Sequence, residues 1–99
     1  MADEILSIAI IEALPGKEDE LVALLRELYT TMKAKGYSRD SLYRDTARPD
    51  RLIHLRHWTS PQMRGDAQVD PDVHRYWIKL PELCTIAAVY ENVEKVFET

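Results

Sequence analysis

The sequence has 99 residues, 45% hydrophobic and 30% charged, with a formal net charge of -4. This length allows one domain with a small core, and the acidic balance without a basic stripe argues against nucleic acid as a partner. Cys84 is the only cysteine, which excludes an intramolecular disulfide and a cysteine-based metal cluster within one chain. Without a membrane-length apolar stretch or a signal peptide, we expect one complete cytoplasmic domain, residues 1–99.

The first predicted strand, Ile5–Ala13, alternates between two faces that are both apolar in character. One face carries bulky residues only, whereas the other includes the small side chains Ser7 and Ala9. Small side chains leave space above a sheet, and that space is either filled by a closely packed helix or left as a pocket. Ala9 is therefore a candidate substrate-binding residue.

A helix is predicted after Pro15 and Gly16, because the acidic run 18–20 suits the positive end of a helix dipole. Apolar residues then recur at spacings of three and four, which predicts one buried stripe. The stripe consists of Leu21, Leu24, Leu25, Leu28 and Met32. Gly36 is placed to end this helix in a left-handed conformation.

A hairpin is predicted next, with a short second strand at residues 41–45, a turn at 47–50 and a third strand at 51–58. In the third strand His54, Arg56 and Trp58 share one face, whereas His57 points to the other. Both faces are partly apolar and partly polar, which is typical of a strand covered on both sides. We therefore expect its imidazole and guanidinium groups near a cavity or an interface.

The segment after the third strand predicts an interrupted helix. Thr59 or Ser60 can cap the first piece and Asp70 the second, with a proline at the first helical position each time. The second piece places Val73, Tyr76, Trp77 and Leu80 on one face, and Pro81 closes it. The last strand is predicted at 85–93, and the tail 94–99 either extends it or reaches a partner.

The resulting order is strand, helix, strand, strand, helix, strand. This order is the split βαβ arrangement, an α+β ferredoxin-like antiparallel sheet with both helices on one face. Two helices cover only one side of a sheet that is apolar on both, so a second copy is expected to cover the other side. The sequence thus predicts a homodimer formed through sheet faces.

The chain resembles the antibiotic biosynthesis monooxygenase domain, a family of dimeric α+β barrels. The resemblance rests on an apolar first strand leading into Pro15-Gly16, on Trp58-Thr59-Ser60 at the end of the third strand, and on the helix residue His74. It implies a soluble monooxygenase without metal or organic cofactor that acts on a quinol, phenol or anthrone. Arg56 stands where many members carry a glutamate, which implies tolerance of an anionic substrate.

Haem-degrading members combine an asparagine, a tryptophan and a helix histidine. The asparagine position falls on Ala9 and the tryptophan position near Arg64, so only His74 is retained. This departure argues against haem degradation, and haem binding is kept as a third hypothesis. Metal binding is not expected, because His54 and His57 point to opposite faces of one strand.

Under the leading hypothesis His74, Arg56 and His54 are the catalytic residues. His74 would accept a proton from the substrate, while His54 and Arg56 would stabilise the resulting anion. The substrate would contact Ala9, Trp58, Met63, Arg64 and Trp77, with Met63 and Arg64 on a mobile rim. The alternative is a purely structural role, in which His74 is a hydrogen-bonded residue at a packing edge and the tryptophans belong to the core.

The second hypothesis is a non-catalytic module that binds a small ligand or only forms the dimer. It predicts a pocket filled by side chains and His74 hydrogen-bonded into the scaffold. The sequence leaves open whether the chain is an enzyme, and which substrate it takes.

Overall fold

The computed structural model describes residues 5–99, and within them four strands and three helices follow each other in the predicted order. The strands are β1 (Ile5–Ala13), β2 (Ser38–Arg44), β3 (Arg51–Trp58) and β4 (Cys84–Val93), and the helices are α1 (Glu18–Ala34), α2 (Pro61–Gln68) and α3 (Pro71–Trp77). The strands form one antiparallel sheet in the order β2-β3-β1-β4. The predicted ferredoxin-like α+β fold is therefore confirmed.

The helix boundaries follow the signals in the sequence. Ser60 caps α2 by accepting a hydrogen bond from the backbone amide of Met63, and Asp70 caps α3 through the amide of Asp72. Gly36, just after α1, has a φ of 72°, a left-handed conformation that favours glycine. The predicted interruption between the two helical pieces is confirmed. None of the helices among residues 5–99 is long and apolar enough to cross a membrane.

Four boundaries differ from the prediction, and one of them is the end of β2, at Arg44 and not at residue 45. β2 begins at Ser38 and not at residue 41, because Ser38 is buried opposite Trp58 of β3. β4 begins one residue earlier than predicted, at Cys84. α3 ends at Trp77, so Leu80 does not continue its apolar face but starts a short 3₁₀ turn, Leu80–Glu82, that contains Pro81.

The sheet has two faces with different cover. The face under the helices, here called the helix face, carries Ser7, Ala9, Ile11, Asp40, Leu52, His54, Arg56, Trp58, Ile86 and Val89. The predicted leucine stripe of α1 is fully buried against it. The other face, here called the open face, carries Leu6, Ile8, Ile10, Tyr43, Ile53, Leu55, His57, Ala88 and Tyr90. No residue of the open face is buried in a single chain over residues 5–99.

Candidate functional site

Four polar side chains lie together in the protein interior between α1 and the sheet. This buried polar cluster consists of Tyr29 from α1, Asp40 from β2, and His54 and Arg56 from β3. The sheet register brings Asp40 directly opposite Arg56. Neighbouring antiparallel strands place such cross-strand pairs on the same face, so the cluster follows from the pairing of β2 with β3.

The charge of Arg56 is neutralised within the cluster. Its Nε donates to Oδ1 of Asp40 at 2.9 Å and its Nη2 donates to Oδ2 at 3.1 Å, a bidentate arrangement. The Asp40 side chain is fully buried and that of Arg56 is 8% exposed. A guanidinium already paired with a buried carboxylate offers no net charge to a ligand, so the residue does not favour an anionic substrate in the way the sequence implied.

His54 is a largely buried histidine bonded to Tyr29. Its Nδ1 lies 2.5 Å from the Tyr29 hydroxyl, and the ring centroids are 5.4 Å apart. Burial, assisted by the charge of Arg56 and opposed by that of Asp40, lowers the pKa of His54 from 6.5 to about 4. The imidazole is therefore neutral near pH 7.

Tyr29 also keeps its proton. Burial is the main cause that raises the pKa of its hydroxyl, the charge of Asp40 raises it further, and that of Arg56 acts in the opposite direction. A neutral phenol facing a neutral imidazole is a stable pair in a water-poor environment, since neither partner carries a charge that needs solvation.

Trp58 forms the wall next to this cluster. It is 4% exposed, its Nε1 donates to Oγ of Ser7 at 3.0 Å, and that hydroxyl donates to the carbonyl oxygen of Glu91 at 2.7 Å. The guanidinium carbon of Arg56 lies 5.3 Å from the centroid of the Trp58 ring. The predicted trio of His54, Arg56 and Trp58 thus shares one face of β3, as the alternation predicted.

Arg64 connects α2 to the end of β4. Its Nη1 donates to the carbonyl oxygen of Glu91 at 3.1 Å and to the side-chain oxygen of Asn92, and its guanidinium lies 5.8 Å from the Trp58 ring. Met63, one residue earlier, is half-buried in the first turn of α2. Arg64 therefore lies beside Trp58, and its contacts hold the segment that the sequence predicted as a mobile rim.

Ala9 lies on the helix face between two strands. Its cross-strand partners are His54 on β3 and Val89 on β4. It is 8% exposed, whereas Val89 beside it is 55% exposed. The predicted lining residue is therefore next to the buried polar cluster, at the point where helical cover over the sheet ends.

His74 lies apart from these residues. It is exposed on α3, its Nε2 is hydrogen-bonded to the carbonyl oxygen of Gln68, and its ring centroid is 5.3 Å from that of Trp77. The buried face of this seven-residue helix is formed by Val73 and Tyr76, so His74 does not point into the cleft between helix and sheet. The half-buried Trp77 packs against the edge of the core.

Two residues of the cluster were missed from the sequence. Tyr29 follows the buried Leu28 and was not counted in the leucine stripe, although a tyrosine one step from such a stripe is a candidate for a buried hydroxyl. Asp40 falls before the predicted start of the second strand. Extension of that strand by one residue would have included Asp40 on the same face as Leu42, whereas its pairing with Arg56 depends on the register of the two strands.

The described surface also contains two hollows of about 300 and 360 Å³, and neither is lined by a predicted site residue. The first lies at the β1–α1 connection and the second along α1 beside Tyr76. Within residues 5–99, no three histidine, cysteine or carboxylate side chains are grouped to hold a metal ion.

The fold, an antiparallel sheet with helices on one face, is that of the ferredoxin-like α+β proteins. The family model described as antibiotic biosynthesis monooxygenase matches residues 5–75. The chain belongs to the antibiotic biosynthesis monooxygenase family. Comparison with curated proteins finds no match.

Solved structures from several organisms share this fold. SnoaB from Streptomyces nogalater, a cofactor-independent oxygenase, is 18% identical with a TM-score of 0.75, over 98% of this chain and 100% of that one. A protein of Chloroflexus aurantiacus proposed to be an antibiotic biosynthesis monooxygenase is 21% identical with a TM-score of 0.77, over 97% of each chain. Rv0793 from Mycobacterium tuberculosis is 18% identical with a TM-score of 0.74, over 95% of this chain and 99% of that one.

Proposed function

We propose that this protein is a cofactor-independent monooxygenase that acts on a small, electron-rich aromatic compound of the quinol, phenol or anthrone type. The observation that carries the proposal is the common placement of His54, Arg56 and Trp58 on the helix face, two polar groups beside an aromatic wall. Membership of the family and the likeness to a cofactor-independent oxygenase support the same reaction class.

The substrate would be neutral when it binds. Arg56 is paired with Asp40 and His54 is uncharged near pH 7, so the buried polar cluster presents hydrogen-bonding groups without net charge beside the aromatic ring of Trp58. A flat phenol or quinol matches such a surface, because its ring stacks on tryptophan and its oxygen accepts a hydrogen bond. Ala9, Met63 and Arg64 would contact the remainder of the ring system.

The chemistry requires no other reductant. Loss of a proton leaves an electron-rich anion, which transfers electrons to O₂ and forms a carbon–oxygen bond to give a hydroperoxide. Loss of water then leaves one oxygen atom in the product carbonyl, while the other departs as water. A CH₂ group that becomes a carbonyl supplies all four electrons taken up by O₂, so the protein contributes positioning and anion stabilisation.

The proton acceptor is assigned separately from the anion-stabilising residues. The sequence assigned this role to His74, which is exposed on α3 and outside the buried polar cluster. His74 would therefore receive the proton through solvent and not by direct contact in the cleft. Unchanged rates in His74→Ala would remove it as the base and leave water in that role.

Oxygen consumption over a panel of hydroquinones and anthrones, measured with a chelator present, tests the proposal. Loss of a preorganised donor to a developing oxyanion lowers kcat by about 10² to 10³, so His54→Ala should show a loss of this order. His57→Ala is the matched control, because His57 lies on the same strand but on the open face. Equal loss in both variants, or no uptake with any compound, would contradict the proposal.

A second candidate function is a non-catalytic module that binds a small ligand. It is favoured by one observation: His74 is hydrogen-bonded to the scaffold at Gln68, as that hypothesis predicts. Saturable thermal stabilisation by quinols without oxygen uptake would favour this module over the enzyme.

We also propose that two copies pair through their open faces. Tyr43 and Tyr90 are 57% and 58% exposed there, beside a continuous row of partly exposed aliphatic residues of β1 and β3. Sedimentation velocity should give a dimer that Tyr90→Glu dissociates. Val69→Glu, at a residue 79% exposed between α2 and α3, should leave the dimer intact. A monomeric unmodified protein at micromolar concentration would overturn the pairing.

A further inference from the structure

The hydrogen bond between Tyr29 and His54 joins α1 to the centre of the sheet. The bond uses Nδ1 of the imidazole. If the Tyr29 hydroxyl donates, the N–H of the neutral ring is on Nε2, and if Nδ1 donates, the N–H is on Nδ1. A neutral imidazole has one donor and one acceptor. The role of the whole residue is therefore set by its contact with a single hydroxyl.

The chemistry of the two groups favours donation by the tyrosine. A phenol is a stronger hydrogen-bond donor than a neutral imidazole N–H, and an unprotonated imidazole nitrogen is a stronger acceptor than a phenolic oxygen. Burial keeps both groups uncharged near pH 7. Within residues 5–99, the Tyr29 hydroxyl meets no other hydrogen-bond partner, so donation to Nδ1 is the arrangement that uses its proton.

The second nitrogen of His54 is available to a ligand. In the described part of the chain, Arg51 Nε is a fully buried side-chain nitrogen without a hydrogen-bond partner. Nε2 of His54 likewise makes no hydrogen bond in the described part of the chain, because the only bond of the ring is the one through Nδ1. A hydrogen on Nε2 would thus not be used by a neighbouring side chain and could bond an oxygen of a bound molecule.

The groups around the imidazole do not oppose this arrangement. Asp40 and Arg56 form a closed ion pair with each other, with both carboxylate oxygens of Asp40 engaged by the guanidinium. The charges of Arg56 and Asp40 act on the imidazole in opposite directions. Tyr29 is left as the residue that determines the tautomer.

We propose that Tyr29 is a positioning residue that holds His54 in the tautomer protonated at Nε2, so that His54 donates a hydrogen bond to a substrate oxygen and does not accept its proton. The tautomer follows from the Tyr29–His54 contact and the donor and acceptor strengths of the two neutral groups, whereas its use on a substrate rests on the proposed function. This assignment turns a histidine that looks like a candidate base into a neutral donor for a developing oxyanion.

Nitrogen-15 NMR of the imidazole rings in the intact protein tests the tautomer directly. In the unmodified protein we expect the His54 spectrum to show a protonated-type shift at Nε2 and an unprotonated-type shift at Nδ1 near pH 7. In Tyr29→Phe both nitrogens should move toward averaged positions, because Nδ1 loses its donor. The signals of His57 and His74 serve as internal controls, and His54→Gln assigns the His54 signals.

Two results would overturn the proposal: a proton on Nδ1 in the unmodified protein, or unchanged His54 shifts in Tyr29→Phe. The first result is obtained without any variant, so the test holds even where Tyr29→Phe does not fold. These outcomes do not depend on activity, and a protein that consumes no oxygen but shows the expected tautomer would separate failure of the proposed function from failure of this inference.

Once a substrate is identified, two amide substitutions test how the tautomer is used. Glutamine places its amide near the position of Nε2, whereas asparagine reaches only the position of Nδ1. His54→Gln should therefore retain more of kcat than His54→Asn, with similar KM values. A greater loss in His54→Gln than in His54→Asn would contradict donation from Nε2.

Discussion

The sheet under α1 and the edge strand β4 are built from similar apolar alternation, yet they have opposite environments. Leu28 of α1 packs on the helix face of the sheet and is 1% exposed. Ile86 of β4 lies on the same helix face and is 52% exposed. The difference arises because α1 packs over β2 and meets α3, while within residues 5–99 no helix packs extensively against β4. The covered region holds buried polar groups in fixed pairs, and the edge leaves apolar surface for a ligand or a second chain.

Removal of one partner from the buried ion pair in the covered region should cause the largest loss in the free energy of unfolding. In Asp40→Ala the Arg56 guanidinium stays buried without its carboxylate, and loss of one partner of such a pair costs about 3–5 kcal/mol of the free energy of unfolding. Urea denaturation measures this loss. The double variant Asp40→Leu with Arg56→Met should lose less, since no unpaired charge remains. A greater loss in the double variant would contradict the buried pairing.

Truncation of one apolar residue under the helices and one on β4 measures how much each region is shielded from solvent. Leu28→Ala removes buried volume from the core and should cost about 2–5 kcal/mol of the free energy of unfolding. Ile86→Ala, on the exposed edge, should cost about 0.5 kcal/mol or less. Both values come from urea denaturation under identical conditions. Similar losses in the two variants would mean that the edge of β4 is covered in solution.

Acid should destabilise the covered region through His54. The unfolded imidazole takes up a proton near pH 6.5 and the folded one only near pH 4, so the folded state is destabilised as the pH falls between these values. A shift of this size corresponds to roughly 3 kcal/mol of the free energy of unfolding.

The free energy of unfolding measured from pH 7 to pH 4 checks this effect. His54→Gln should lose this part of the pH dependence, and His74→Ala should keep it. Retention of the full acid sensitivity in His54→Gln would assign it to other groups.

An exposed ion pair should contribute least. Asp70 accepts hydrogen bonds from Lys35 at 2.7 Å and from the Tyr37 hydroxyl at 2.5 Å, and the bond from Lys35 is the main cause that lowers the pKa of Asp70 from 3.8 to about 2. The stabilisation is present above about pH 4 and is lost as the pH falls toward 2.

Asp70→Asn retains a helix-capping side chain but removes the charge, so its melting temperature should fall less between pH 4 and pH 2 than that of the unmodified protein. Glu27→Gln, at an exposed residue of α1, is the control and should behave like the unmodified protein. An equal fall in Asp70→Asn would show that this ion pair does not contribute.

The parts of the site that depend on local periodicity were predictable. His54, Arg56 and Trp58 were placed on one face correctly because side chains of a strand alternate with a period of two. The exposed position of His74 on α3 was not predicted, because a helix of seven residues offers less than two full periods from which to choose its buried face. The partners Tyr29 and Asp40 come from two other elements, and no local pattern relates them to β3.

The sequence by itself determined the element order, the helix caps and the apolar faces, since these depend on residues close together in the chain. Only the tertiary structure decided the charge and protonation of the site. The register of β2 against β3 places a carboxylate on Arg56, and the packing of α1 places a hydroxyl on His54. Both contacts join distant parts of the chain, and burial strengthens their electrostatic effect far beyond what the same residues would have in water.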